Sequence, residues 1–426
     1  MRRRLPLLPL LAAVVALSAA GAHAQQARRP FRTEFGPGER DELRADQLVL
    51  TGGTYAGADD TSRLAGATLL DETLQSGRLH QGGNLSLRYV RRRPRLSLSA
   101  SGGSAVRYYH SLNRIGTQRH SVSASGEWVA SRQLSLQFGQ DVNYSPSYHL
   151  SFAAAPEIGA EAPADPGSLD YDLSRSKQFM FGSFASARYV LSPSREMTAG
   201  YGLSYTNYLT AHQRDFGIQQ ASLGFSQRLT SGVALKLGYG VGTGTGTGLG
   251  KGVRQIIDAG VAFDRSIAIS PRTIVGFNSG SAIVNTDGGR QVELIGNLNV
   301  RRRLSPRWTA SIAYQRGLMA IDGVPNPLTT NTMTADVSGF LGMKTSVTIR
   351  PVHTWGADVN DATQSFRNST GMARVQTAMG RHLAAFAEYI YYDHRFSAIV
   401  GLRPSLAVDT RRHGLRTGVT LWSPLR

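Results

Sequence analysis

The sequence predicts an all-β fold: a transmembrane antiparallel β-barrel of about 18 strands, with short turns at one rim and long loops at the other. Two observations carry most of this. From residue 79 onward apolar and polar residues alternate with a period of two, which gives a strand one apolar and one hydrophilic face. The links between these segments are alternately tight and long. A third observation is length. The segments run to about 12–16 residues, whereas strands of globular sheets cluster near 5–6; a tilted crossing of a ~25 Å apolar band with polar extensions needs that many.

The chain opens "MRRRLPLLPLLAAVVALSAAGAHAQQ". Arg2, Arg3 and Arg4 precede an apolar run from Leu5 to Ala19, and Ala22 and Ala24 set a cleavage site after Ala24, the pattern of an export signal. Residues 1–24 read as a signal peptide, 25–44 as a periplasmic N-terminal segment, 45–422 as the barrel and 423–426 as a tail. The chain has 47 Lys+Arg and 29 Asp+Glu; without the three leader arginines this is 44 against 29, a net charge of +15. The absence of cysteine excludes disulfide staples and thiolate metal sites. After the leader nothing approaches the ~18 continuous apolar residues of a membrane helix.

The strands follow in order. The first, 45–56, has the weakest pattern. Within 79–91, "NLSLRYV" sets Leu85, Leu87 and Tyr89 against Asn84, Ser86 and Arg88. Strand 95–108 sets Leu96, Leu98, Ala100, Val106 and Tyr108 against Ser97, Ser99, Ser101 and Arg107. After 119–130, strand 133–145 repeats the pattern with Leu134, Leu136, Phe138, Val142 and Tyr144 against Ser135, Gln137, Asp141 and Asn143. It continues through 176–191, 195–209, 216–229, 233–243, 253–268 and 272–284. It ends with 290–303, 307–320, 331–343, 346–357, 364–379, 382–396 and 407–422.

Eight tight turns join these strands: Arg92–Pro94, Ser131–Arg132, Ser192–Ser194, Ser231–Gly232, Ser270–Pro271, Ser305–Pro306, Lys344–Thr345 and Gly380–Arg381. Three are built on Ser-Pro, where serine opens the turn and proline pre-sets its dihedral. Longer links include 109–118, 146–175, 244–252 and 321–330. An even strand count puts both chain ends at the tight-turn rim.

The run "GTGTGTGLGKG" at 242–252 invites a phosphate-loop reading, and its spacing refuses it. A P-loop needs its opening glycine where Thr245 stands and a hydroxyl where Gly252 stands; a dinucleotide fingerprint needs a third glycine at Thr247. The run is read as an outer loop. No histidine pair shows metal-ligand spacing, so neither a metal nor a cofactor is expected.

Aromatic residues fall at both ends of the apolar faces. Tyr89, Trp128, Tyr189 and Trp308 lie near short turns; Tyr108, Tyr144, Tyr239, Trp355 and Tyr391 lie near the long-loop end. Two such girdles suit the two interfaces of a membrane. By strand parity the interior receives Arg88, Arg107, Arg188, Arg228 and Lys236, then Arg254, Arg301, Arg350, Arg374 and Arg416. It also receives Glu127, Asp141, Asp258, Asp264, Glu293, Asp336 and Glu388. Ten bases against seven acids predict a modest anion preference if they line a pore, or cross-strand ion pairs if they stiffen the wall. The longest link carries Glu157, Glu161, Asp165, Asp170 and Asp172, either as a solvated outer loop or as an inward fold opposite those arginines.

The densest basic runs, "RRRPR" at 91–95 and "RRRLSPR" at 301–307, bracket tight turns and have no interleaved aromatics, which argues against a nucleic-acid partner. They suit interfacial anchoring, anionic headgroups or an acidic partner.

Export signal, amphipathic strands, tight turns and long outer loops together resemble a bacterial outer-membrane β-barrel. The stretches "LTGGTYAGADDTSR" and "WTASIAYQRGL" are similar to β-barrel porin families, some of them associated with exopolysaccharide export. That resemblance implies residence in outer-membrane lipid, insertion by the barrel-insertion machinery, and passive passage of hydrophilic solutes such as saccharides or small anions. It also implies the general-porin plan of an acidic loop facing a basic wall, and it is compatible with an oligomer. An accessory role in exopolysaccharide secretion is the alternative. Such barrels usually finish on an aromatic residue, whereas this chain ends "GVTLWSPLR", with Trp422 four residues from the end. A surface hydrolase of the omptin type would need Asp59 and Asp60, placed in the first outer loop, to meet Asp393 and His394 across the closed barrel. Nothing else matches that type, and no enzyme is expected.

Overall fold

The computed structural model describes residue 35 and residues 46–63, 78–109, 116–145, 178–209, 215–230, 233–245, 253–262, 267–286, 289–319, 328–397 and 410–425. They form β1 (Asp46–Arg63), β2 (Arg78–Arg93), β3 (Leu96–Tyr109), β4 (Gly116–Val129), β5 (Leu134–Ser145) and β6 (Gln178–Ser192). Next come β7 (Arg195–Tyr208), β8 (Phe216–Arg228), β9 (Ala234–Thr245), β10 (Val253–Ala262), β11 (Ile267–Ser270), β12 (Thr273–Thr286) and β13 (Gly289–Ser305). The last are β14 (Trp308–Met319), β15 (Leu328–Leu341), β16 (Thr345–Asp358), β17 (Ser365–Ala378), β18 (Leu383–Ser397) and β19 (Thr410–Pro424). Every pairing is antiparallel, and β1 pairs with both β2 and β19, which shuts the ring.

The 19 segments make 18 strands, because β10 and β11 share one place in the wall. Against β12, β10 registers at Ala262↔Asn278 and β11 at Ile267↔Val275. Between these two registers the predicted 253–268 strand advances five residues while β12 advances three, and residues 263–266 fall outside the described ones. The result is an all-β, 18-stranded, nearly closed antiparallel barrel.

The first strand runs further than its pattern suggested. Asp59 and Asp60, expected in a loop, lie inside β1, which pairs with β19 from Val49↔Pro424 to Arg63↔Thr410. Gly52, Gly53, Ala56, Gly57 and Ala58 lack the bulk that reveals alternation. Neighbours use the room: a Cβ on Gly57 would sit 2.8 Å from the His80 ring, and one on Gly53 would sit 2.9 Å from Asn84 Oδ1. The glycine run also begins as strand. Gly242 to Thr245 belong to β9, with Thr243 paired to Gln219 and Val253, while 246–252 fall outside the described residues. β19 likewise continues through Ser423 and Pro424, and Leu425 N donates to Leu48 O at 2.8 Å.

The tight turns explain themselves chemically. In each Ser-Pro turn the serine hydroxyl accepts from the N–H two residues on: Ser194 to Ser192 at 3.4 Å, Arg272 to Ser270 at 3.2 Å and Arg307 to Ser305 at 3.2 Å. Proline has no N–H of its own to compete, so the hydroxyl selects the next donor. Gly342, at φ 74°, takes a left-handed conformation in the β15–β16 turn that a side chain would resist.

One face of the wall is concave. Arg107 on β3 reaches the Tyr55 hydroxyl on β1 at 3.2 Å, passing over Gly82 of the intervening β2. The opposite face carries the exposed apolar side chains: Leu85, Leu237, Leu294 and Leu415 are each more than half exposed. The burial pattern is therefore that of a barrel turned outward, greasy to its surroundings and hydrophilic within. No helix among the described residues is long and apolar enough to cross a membrane.

Candidate functional site: the inner wall

Register and alternation give the face on which each residue expected in the lining stands. Arg88, Arg107, Arg188, Arg228, Lys236, Arg301, Arg350, Arg374 and Arg416 occupy positions on the concave face. So do Glu127, Asp141, Glu293, Asp336 and Glu388. Arg254 and Asp258 register opposite Gly242 and Gly238, positions of the same face. Asp264 and the loop carboxylates Glu157, Glu161, Asp165, Asp170 and Asp172 lie outside the described residues.

Several of these charges are engaged with one another or with a neighbouring charge. Arg350 Nη2 sits 2.9 Å from Asp336, and Arg188 Nε donates to Glu196 at 2.9 Å. Glu293 accepts from Arg316 Nη2 at 3.1 Å. These pairs are partly exposed, so water screens them.

A tighter group surrounds the closure. Glu388 on β18 lies between Arg374 Nη1 at 3.6 Å and Arg416 Nη1 at 3.9 Å, with Glu388 and Arg416 both buried. Asp59 on β1 pairs with Arg412 on β19 and lies 3.4 Å from His80 Nδ1 on β2. The Tyr55 ring links the two halves: it meets His80 edge-on at 6.0 Å, lies under the Arg416 guanidinium at 5.5 Å and accepts from Arg107. Four arginines, two carboxylates and one histidine thus share one patch of inner wall. Alternation read through residue 63 would have found Asp59; Arg412 and His80 needed only parity in strands already assigned. Their grouping needed the register.

Glycine builds this patch. A Cβ on Gly82 would stand 2.5 Å from the Tyr55 ring and 2.8 Å from Val106 O. Gly82→Ala should lift the ring off the wall and break its contact with Arg107, a cost of about 1–3 kcal/mol for overpacking. A lower temperature for the folded-to-unfolded shift in gel migration would register it; an unchanged temperature would show that Tyr55 has other room.

Beside this patch the inner face turns to hydroxyls. Ser99 and Ser125 share a hydrogen bond at 2.7 Å, as do Ser101 and Ser123, with Ser97, Ser121 and Ser135 on the same face. Neutral donors and acceptors here flank the charged sector.

The nine aromatic residues expected to form girdles occupy positions on the convex face with the exposed aliphatics. The meeting of Asp59 with Asp393 and His394 that a surface hydrolase would need does not form; the side chain of Asp60 lies outside the described ones. Successive residues of a strand point to opposite sides, so Asp393 lies on the convex face, where Arg395 and Arg411 hold it, and His394 lies buried on the concave one. Asp59 is likewise committed to Arg412 and His80. No group of three metal-ligating side chains occurs among the described residues. At the long-loop rim two loop carboxylates are held below the usual aspartate range by donors: Asp215 by the Tyr205 hydroxyl and then the Tyr208 N–H, Asp361 by the Thr363 hydroxyl and N–H.

No protein-family model matches the chain, and no curated protein matches it. Solved structures do. OpdD of Pseudomonas aeruginosa is 11% identical, covers 90% of this chain and 100% of its own, and has a TM-score of 0.46. OpdQ of the same organism is 10% identical over 91% of this chain and 100% of its own, at 0.43. The siderophore receptor PirA, also from Pseudomonas aeruginosa, is 10% identical over 88% and 80%, at 0.39. With TM-scores below 0.5, the barrel class rests on the chain's own ladder, which is that of an 18-stranded antiparallel β-barrel.

Proposed function

We propose that the chain is an outer-membrane channel through which hydrophilic solutes diffuse passively, small anions and saccharides above all. One observation carries the reading: the ring closes with most of its bulky apolar side chains outward and most of its ionised ones inward. Barrels of 16–18 strands leave an aqueous lumen. The nine convex-face aromatics then serve as the girdles at the two interfaces, and residues 1–24 direct export to the insertion machinery.

The inner basic residues support an anion preference, because rings of like charge select permeants at close quarters. Arg88, Arg301 and Arg107 act with the closure patch as that positive field, moderated by Glu388 and Asp59. The serine-rich sector favours a second class of cargo, neutral saccharides, and through it an accessory role in exopolysaccharide passage. An acidic 146–175 loop folding inward would complete a constriction.

Planar bilayers test this directly. Purified protein should give stepwise conductance, and a KCl gradient should set a reversal potential of the sign given by chloride-favouring permeation. Absence of conductance, or a cation-favouring potential, would remove the anion channel; swelling of liposomes in neutral oligosaccharide would then decide for the saccharide reading.

A further inference from the structure

The convex face carries a second charged group that the channel does not use. Near the long-loop ends of β17, β18 and β19, Arg367 registers directly opposite Arg395, and Asp393 directly opposite Arg411. Asp393 accepts from Arg395 Nε at 3.0 Å and Nη2 at 2.9 Å, from the Tyr391 hydroxyl at 3.3 Å, and lies 3.5 Å from Arg411 Nη2. The Asp393 carboxylate therefore serves Arg395 and Arg411, with Arg367 across the ladder from Arg395. Arg395 and Arg411 keep about 40% of their side chains exposed, and Arg367 is exposed too.

Like charges facing each other across a ladder destabilise a sheet. Here two guanidiniums do so on the face that carries the exposed apolar side chains, beside the Asp393 carboxylate. An anion bridging Arg367 and Arg395 would relieve the repulsion, and phosphate suits it, since its oxygens accept the paired N–H bonds of guanidinium.

The rows beneath fix where the anion comes from. Moving toward the tight-turn rim, the cluster gives way to Tyr391 against His413, then Tyr389 against Leu415, then aliphatic residues such as Val419. Charge, then rings, then hydrocarbon is the order of headgroup, interface and acyl chain. The cluster also points away from the lumen, so a permeating anion does not pass it.

We infer that Arg367, Arg395 and Arg411 form a docking site for a phosphate-bearing lipid headgroup of the outer leaflet, with Trp355, Tyr391 and His413 as the adjoining ring surfaces. This rests on the membrane-spanning reading above.

The test uses the full chain in detergent with three probes: lipid A bearing phosphates, the same lipid without them, and inorganic phosphate. Native mass spectrometry should show the wild type retaining the phosphorylated lipid at least about tenfold better than the phosphate-free one, the worth of a single charge-assisted contact. The triple variant R367Q/R395Q/R411Q should lose that preference while keeping wild-type conductance and gel migration. Equal retention of both lipids by the wild type, which needs no variant, overturns the site. So does an unchanged preference in the folded triple variant. Displacement of the lipid by inorganic phosphate at equal concentration also overturns it, in favour of a free anion. Wild-type conductance reports separately on the barrel, so a conducting protein without lipid preference sinks this inference alone.

Discussion

Glu388→Ala is expected to destabilise the barrel by about 3–5 kcal/mol, the cost of removing one partner from a buried ion pair. Glu388 is the carboxylate between Arg374 and Arg416, and Arg416 is as buried as Glu388 itself. Without the carboxylate two guanidiniums face each other in a poorly hydrated recess, and Arg107 adds a third positive charge nearby through Tyr55. Urea unfolding in lipid, followed by gel migration, would measure the loss. Asp336→Ala is the comparison, because Arg350 is half exposed and such a pair contributes only about 0–1 kcal/mol. Equal effects at the two positions would refute the burial argument. In bilayers the same Glu388→Ala protein should favour anions more strongly than the wild type.

Leu223→Arg should cost about 2–4 kcal/mol, provided the convex face meets hydrocarbon. Leu223 stands at the middle of β8, 52% exposed, with Tyr239 and Ala199 opposite it. Were that face in water, a surface leucine replaced by arginine would change stability by no more than about 0.5 kcal/mol. Its neighbour Ser222 points to the concave face, so Ser222→Arg should be nearly neutral. The pair isolates one variable, the side of the wall on which the charge is placed. A small effect at both positions would contradict the membrane assignment.

How far the sequence could be read depended on side-chain size. Strands such as β5 declare themselves because Leu136, Phe138 and Val142 contrast sharply with Gln137 and Asp141. β1 does not, because glycine and alanine at 52, 53 and 56–58 carry little contrast, the space at Gly53 and Gly57 being filled by Asn84 and His80 from the next strand. That one shortened strand moved Asp59 from the wall to a loop, the only place from which the hydrolase alternative could have used it. Single positions on the inner face were legible from parity alone. Which of them touch was not, because contact between β1, β2, β18 and β19 depends on a register set by closure.

Closure also dictates an order of events. Asp59 and Arg412, which meet across the β1–β19 ladder, are separated by 353 residues. Joining such distant segments carries a large entropic cost and makes the step slow. Until residues 410–424 arrive, β1 has a partner on one side only, and the growing sheet presents two raw edges able to recruit foreign strands. Assembly therefore has to be a sheltered process in which the first hairpin waits for the last, and a chain interrupted anywhere before Thr410 yields a sticky curved sheet in place of a ring.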